Sequence, residues 1–330
     1  MRIPPHLLST NDLTTNQLKS LLNHSIRLKS AFKSNMIPPN TLSGKISQSL
    51  DSKTVAILFN KRSTRTRVAA ETSVKALGGH PLFLSPSDIQ LGVNESLRDT
   101  SQVISSMTDG IFARVGDHED IETLAKYSNK PVLNALSDLY HPTQILADLL
   151  TISEEFKLNY DGDSPLSGLN VGWVGDGNNI INDLLLSLPR LGANVQVATP
   201  KGYEIDKRVL TLLESQGKEV MNKVKFTSVP EEAVNKVNVI LTDTWISMGQ
   251  EEEKKKRLKD FEGFQVSEEL AKRGGANDNW KFMHCLPRKQ EEVNDEVFYG
   301  DRSIVFNEAE NRKWTILSLF DKLIGNYTKD

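Results

Sequence analysis

From Val55 onward, apolar runs of strand length alternate with longer stretches whose apolar residues recur at helical spacing. This alternation predicts parallel sheets covered by helices. In the first half, strands are expected at Val55–Phe59, Pro81–Leu84, Ile111–Val115 and Pro131–Ala135. One intervening helix carries Val68, Thr72 and Ala76 on one face and stops at Gly78-Gly79. A longer helix opens at Pro142 and runs through Ile145, Leu149 and Ile152. Asn159 to Gly168 then collects Asp, Gly, Ser and Pro, the composition of a domain boundary. A second series follows, with strands expected at Leu169–Gly175, Ala193–Ala198, Val224–Thr227, Val237–Asp243 and Trp280–Met283. Pro189 falls inside a helix of this series, where it should kink the helix or cost an internal hydrogen bond. Ahead of the first strand, Thr14 and Gln17 have capping-box spacing, and Leu18, Leu22 and Ile26 repeat at helical spacing. The expected class is α/β, with two doubly wound parallel-sheet domains of similar size.

The length of 330 residues fits two such domains, each able to bury its own core. The 40 Lys+Arg against 43 Asp+Glu leave a net charge of −3, without the basic excess of a nucleic-acid or membrane-surface binder. No apolar run approaches a membrane span, so a soluble protein is expected. A single cysteine, Cys285, cannot form an internal disulfide, which favours an intracellular setting. The first thirty residues are poor in acids, with Asp12 set against Arg2, Lys19 and Arg27 among the bases. That bias suits a transit peptide, but the capping box argues for a first structural helix. Glu251 to Lys259 offers three i,i+4 ion pairs and reads as a solvated helix face.

In open parallel sheets, ligands bind beyond the carboxyl ends of strands. After the first strand comes Lys61-Arg62-Ser63-Thr64-Arg65-Thr66-Arg67, leading into a helix. Hydroxyls and guanidinium groups at a helix N-terminus make an anion site, most naturally for phosphate. Arg114 ends another strand. In His141-Pro142-Thr143-Gln144, proline at the first helical position makes His141 the cap and puts Gln144 one turn on. These two side chains either polarise a carbonyl or simply cap the helix. Gly175-Asp176-Gly177-Asn178-Asn179 fails as a dinucleotide fingerprint, because Ile180 stands where a small residue is needed. Its asparagines either hold an amino-acid head group or cap a tight turn. Asp243 to Gly249 places an acid, a hydroxyl and a glycine beyond a strand, which suits an amine-bearing substrate. Cys285 is either an inert core thiol or one polarised by His284 and Arg288. No histidine pair has metal-protease spacing and no second cysteine exists, so no metal is expected.

Taken in order, Ser63 to Arg67, Asp88 to Gly92, His141 to Gln144, Asp243 to Gly249, His284 to Pro287 and Glu308 to Arg312 resemble the motifs of the ornithine carbamoyltransferases. The likeness runs from about His6 to about Tyr327. It implies carbamoyl transfer from carbamoyl phosphate to the δ-amine of L-ornithine, giving L-citrulline and phosphate, without a cofactor, in arginine biosynthesis or the urea cycle. Carried over by motif, Ser63, Thr64, Arg65 and Thr66 hold the phosphate, while Arg114, His141, Gln144 and Arg312 reach the phosphate or the carbonyl. Gln90 arrives from a neighbouring subunit of a homotrimer with active sites between subunits. Asn179, Asp243, Ser247 and Met248 bind ornithine, and Cys285 with the Leu286 backbone lies where the amine attacks. Residues 1–155 and a returning C-terminal helix at about 309–330 would form the carbamoyl phosphate domain, and 156–308 the ornithine domain. The compartment implied is the cytoplasm for the chain as written, or the mitochondrial matrix after loss of a leader. The rival readings are a carbamoyltransferase for another amine, and a catalytically silent relative that binds a partner.

Overall fold

A computed structural model of the chain describes residues 6–34, 48–85, 87, 89, 95–246 and 253–326. It divides into two compact units. The first comprises Met1–Glu154, Asn159–Asp161 and Glu310–Asp330, and the second Glu155–Leu158 and Gly162–Ala309.

The first unit holds a four-stranded parallel sheet of β1 (Thr54–Phe59), β2 (His80–Leu84), β3 (Gly110–Arg114) and β4 (Val132–Leu136), in the order β2-β1-β3-β4. The central strands β1 and β3 are buried nearly throughout, which is why both are mainly apolar, with Arg114 closing β3. Edge strand β2 alternates half-exposed and exposed positions. Helix α1 (Thr15–Lys33) starts with the expected capping box: the Thr14 hydroxyl accepts from the Gln17 N–H at 3.2 Å, and the Gln17 side chain accepts from the Thr14 N–H at 2.9 Å. Its inner stripe runs through Leu18, Leu21, Leu22, Ser25 and Leu28, with Ile26 only half-buried.

Helix α2 (Thr64–Ala76) buries a face other than the one that carries Val68, Thr72 and Ala76. Ala69, Ala70, Ser73 and Val74 turn inward, whereas Val68 is 55% exposed and Thr72 is exposed. Small residues let this helix lie close to its neighbours, and the Ser73 hydroxyl donates to the Lys313 carbonyl at 3.1 Å. The chain leaves α2 through Gly78, whose φ of +86° is costly for any residue with a Cβ. Helices α3 (Leu97–Met107), α4 (His118–Tyr127) and α5 (Pro142–Glu155) complete the succession up to the first boundary. The last helix, Val305–Phe320, contributes its residues from Glu310 on to this unit. There Phe320 packs edge-on against Phe112 of β3, and the Ser318 hydroxyl donates to the Leu21 carbonyl.

The second unit has a five-stranded parallel sheet of β5 (Asn170–Val174), β6 (Asn194–Ala198), β7 (Val224–Thr227), β8 (Val239–Thr242) and β9 (Lys281–His284), ordered β7-β6-β5-β8-β9. The order reverses at β5, a topological switch point where ligands bind beyond the strand ends. Helix α6 (Asn179–Ser187) stops short of Pro189, which opens a separate 3₁₀ turn at Pro189–Leu191. The expected kink is therefore a helix end. Proline has no N–H to donate back to Leu185, so the α-helical ladder terminates there. Among the described residues, no helix is long and apolar enough to cross a membrane.

Candidate active site

In the first unit the candidate residues come from the carboxyl ends of β1, β3 and β4 and from the last helix. Ser63 is the extended N-cap of α2, and its side chain makes no capping bond. Thr64, Arg65 and Thr66 form the first turn of that helix, where backbone N–H groups lack helical acceptors. The Thr66 hydroxyl accepts from Arg312 Nη2 at 2.9 Å. Arg312, 2% exposed, also donates through Nη1 to Gln144 Oε1 at 2.6 Å. Gln144 in turn donates to Asp148 Oδ1 at 2.8 Å. Arg114, His141, Gln144 and Arg312 are all buried.

Burial drives the His141 pKa well below its ordinary value, and the charges of Arg312, Arg114 and Arg65 push it the same way. Four of the expected residues therefore form one electrostatic group, with a neutral imidazole among three guanidinium cations. Such a group attracts a polyanion and offers a neutral donor to a carbonyl oxygen. Arg67, although inside the basic run, turns away. It pairs with Glu71 at 2.8 Å and stacks 3.6 Å from the Phe83 ring centroid. Sequence reasoning missed Asp148, although its position one helical turn after Gln144 was a usable signal.

In the second unit the loop after β5 carries Gly175 to Asn178. A Cβ on Gly177 would lie 2.5 Å from the Glu204 carbonyl oxygen, so this close approach of backbones requires glycine. Asn178 caps α6, its Oδ1 accepting from the N–H groups of Ile180 at 3.0 Å and Ile181 at 3.4 Å. Asn179, the expected ornithine ligand, is the first residue of α6 and half-buried. Beyond β8, Asp243 is buried. Its Oδ1 accepts from the Thr244 N–H at 2.7 Å and the Cys285 thiol at 3.0 Å.

Cys285 follows β9, on a turn organised by His284. The Leu286 N–H donates to His284 Nδ1 at 2.9 Å, so the ring proton sits on Nε2, which faces Glu292 Oε1 at 3.3 Å. The His284 N–H donates to Glu308 Oε2 at 2.9 Å. Leu286 has a φ of +59°, uncommon for a residue with a branched side chain and a form of strain that gathers at functional sites. Cys285 is thus joined to Asp243 and is half-buried, outside the closed core. Ligand atoms of Asp243, His284 and Cys285 lie within 4.8 Å of one another, a donor set that sequence spacing did not reveal. Both imidazole nitrogens already serve the turn. Arg288 instead pairs with Asp295 and lies over the Phe298 ring.

The segment Glu251 to Lys259 departs from expectation. Arg257 is 6% exposed and donates through Nη1 to Asp176 Oδ2 and to the Trp245 carbonyl, both at 2.7 Å. Its Nε reaches Glu253 at 3.2 Å, one of the three foreseen pairs. This helix, Lys254–Asp260, therefore turns a buried cation inward. Burial raises the Asp176 pKa, and the neighbouring Asp243 adds to the rise, while Arg257 opposes it. Gln90, Ser247 and Met248, together with the pairs expected from Glu251 and Glu252, lie outside the described residues.

Comparison with known proteins bears on both units. Residues 5–154 match the carbamoyl-P binding domain of aspartate/ornithine carbamoyltransferase, and residues 167–323 match its Asp/Orn binding domain. A mitochondrial ornithine carbamoyltransferase of Aspergillus niger is 54% identical over 99% of this chain and 88% of its own length. The mitochondrial ornithine transcarbamylase of Gallus gallus is 48% identical over 98% of this chain and 86% of its own length. Among solved structures, the mitochondrial enzyme of Coccidioides immitis superposes with a TM-score of 0.87 at 49% identity, covering 97% of this chain and 98% of that one. Ornithine carbamoyltransferase from Pyrococcus furiosus superposes at 0.88 with 39% identity, covering 98% of each. Two sheets of the expected order of size, an arginine-rich helix start in one, an acid beside a thiol in the other and these matches converge: the chain belongs to the aspartate/ornithine carbamoyltransferase family.

Proposed function

We propose that the chain transfers the carbamoyl group of carbamoyl phosphate to the δ-amine of L-ornithine, giving L-citrulline and phosphate. The observation that carries the reading is the grouping of Arg65, Arg114 and Arg312 around a neutral His141 beside the start of α2. The amine nitrogen bonds to the carbonyl carbon, the carbon–oxygen bond to phosphate breaks, and phosphate leaves with that electron pair while the amine gives up a proton. Charge grows on the leaving phosphate, so cations held in place before the reaction favour the transition state.

Ser63, Thr64 and Thr66, with the first-turn N–H groups, take the phosphate oxygens. Arg65, Arg114 and Arg312 take the developing charge, and Gln144 and His141 serve the carbonyl. Asp243 accepts the α-ammonium group of ornithine, Asn179, Ser247 and Met248 complete the grip on the amino acid, and Cys285 with the Leu286 backbone attends the attacking amine. No cofactor or metal enters this chemistry. The acidic Asp243 opposes an aspartate acceptor through like charge.

We further propose a homotrimer in which Gln90 completes a neighbour's site, to be checked by light scattering. Three chain masses are expected, and a monomer would contradict it. The mitochondrial names of the fungal and avian relatives support the matrix over the cytoplasm as the compartment. The reaction is tested by supplying carbamoyl phosphate with ornithine, putrescine, acetylornithine or aspartate and measuring the ureido product. Product with ornithine alone is expected. Product with another amine would reassign the acceptor, and none at all would leave a silent relative.

A further inference from the structure

Asn178 makes two kinds of bond with one side chain. Its Oδ1 caps α6 through the N–H groups of Ile180 and Ile181, and its Nδ2 donates to Asp243 Oδ2 at 2.8 Å. The capping bonds fix which end of the amide is oxygen, and therefore which end can face a carboxylate. Asp243 is consequently gripped from two sides. Asn178 holds Oδ2, while the Thr244 N–H and the Cys285 thiol hold Oδ1. A carboxylate has about four acceptor positions, and three are filled by this chain. The direction left for an incoming ammonium group is set by the residues that hold the other three. We infer that Asn178 is a positioning residue for the acceptor amino acid: it locks the Asp243 carboxylate in the orientation that receives the ammonium group and presents the Cys285 thiol. The inference rests on the reading of Asp243 as an ornithine ligand and assigns a role to the neighbour of the expected ligand Asn179.

The two roles of Asn178 separate by substitution, because Asp and Ser cap helices about as well as Asn. Asn178→Asp keeps the cap, removes the Nδ2 donor and places a second carboxylate against Asp243. Asn178→Ser keeps the cap but is too short to reach Asp243. Each is compared with the unaltered chain in ornithine KM, carbamoyl phosphate KM, thermal midpoint, and the rate at which iodoacetamide alkylates Cys285, the only cysteine.

For Asn178→Asp we expect the ornithine KM to rise at least tenfold and alkylation at pH 8 to slow at least threefold, since added negative charge disfavours the thiolate. The carbamoyl phosphate KM and the thermal midpoint should hold. Asn178→Ser should shift the ornithine KM in the same direction, by less. Unchanged ornithine KM and alkylation in a chain that makes citrulline would overturn the inference and leave the proposed reaction standing. A thermal midpoint that falls in step with ornithine affinity in both variants, whose caps are preserved, would overturn the inference and leave Asn178 a structural residue of its loop. If the unaltered chain makes no citrulline, the reading of the reaction falls, and the alkylation rates still decide whether Asn178 acts on Asp243 and Cys285.

Discussion

The charges of Arg312, Arg114 and Arg65 all act on the buried His141. Replacing Arg65 with Ala removes one cation from the site proposed to hold phosphate. The loss should be about 3–5 kcal/mol of transition-state stabilisation, the scale of stripping one partner from a buried charge pair. That is at least about a hundredfold in kcat/KM. An unchanged kcat/KM would remove the α2 N-terminus from the mechanism.

His141 yields a pH prediction whose sign follows from its lowered pKa. Below the ordinary value near 6.5 the unfolded chain binds a proton that the folded chain refuses, so stability falls as pH drops through this window. His6, whose pKa burial also lowers, acts in the same sense. Denaturant titrations between pH 7 and 5 should therefore show a shallower acid loss for His141→Gln than for the unaltered chain. Identical slopes would mean that the folded imidazole takes up its proton at an ordinary pH. Placement at this scale was legible where residue type and strand-end position coincided, as at Ser63 to Thr66 at the start of α2 and Asp243 beyond β8. It was not legible for Glu308, whose partner His284 lies 24 positions away, whereas Asp148, four positions after its partner Gln144, left a signal that was passed over.

Among the elements, the helix Lys254–Asp260 shows where pattern reading reaches its limit. Charges at i,i+4 spacing describe a solvated face well, but spacing does not report that one of those charges has a buried acceptor beyond its own helix. Arg257 finds Asp176 and the Trp245 carbonyl, joining this helix to the loop after β5 and to the chain just ahead of 247–252. Arg257→Ala should destabilise the chain by about 2–3 kcal/mol, below the ~3–5 kcal/mol of a fully buried pair, because it leaves the half-buried Asp176 carboxylate without its cation. Urea unfolding followed by circular dichroism checks this, and a change below about 0.5 kcal/mol, the surface scale, would show a solvent-screened pair. Helix α2 makes a related point. Its predicted stripe of Val68, Thr72 and Ala76 satisfied the helical period, but the small residues Ala69, Ala70 and Ser73 were buried instead. Periodicity ranks faces by apolarity, whereas close packing selects by size.

At the scale of the whole molecule, two parallel sheets were foreseen because strand-length apolar runs alternate with stretches of helical spacing. Strand ends moved by one or two residues, and the order β7-β6-β5-β8-β9 was not available from the sequence, since pairing of non-consecutive strands leaves no local mark. The division of labour is chemical as well as spatial. The first unit concentrates buried cations about a neutral imidazole, and the second holds an aspartate tied to a thiol and an asparagine. The proposed transfer calls on both kinds of chemistry, because its donor is an anion and its acceptor carries an ammonium group.

The most direct test of that account is to measure citrulline and inorganic phosphate together from purified chain supplied with carbamoyl phosphate, with and without ornithine. Equal amounts of the two products, formed far faster with ornithine than without it, are the predicted result. Phosphate released at the same rate in both samples, with no matching citrulline, would contradict it.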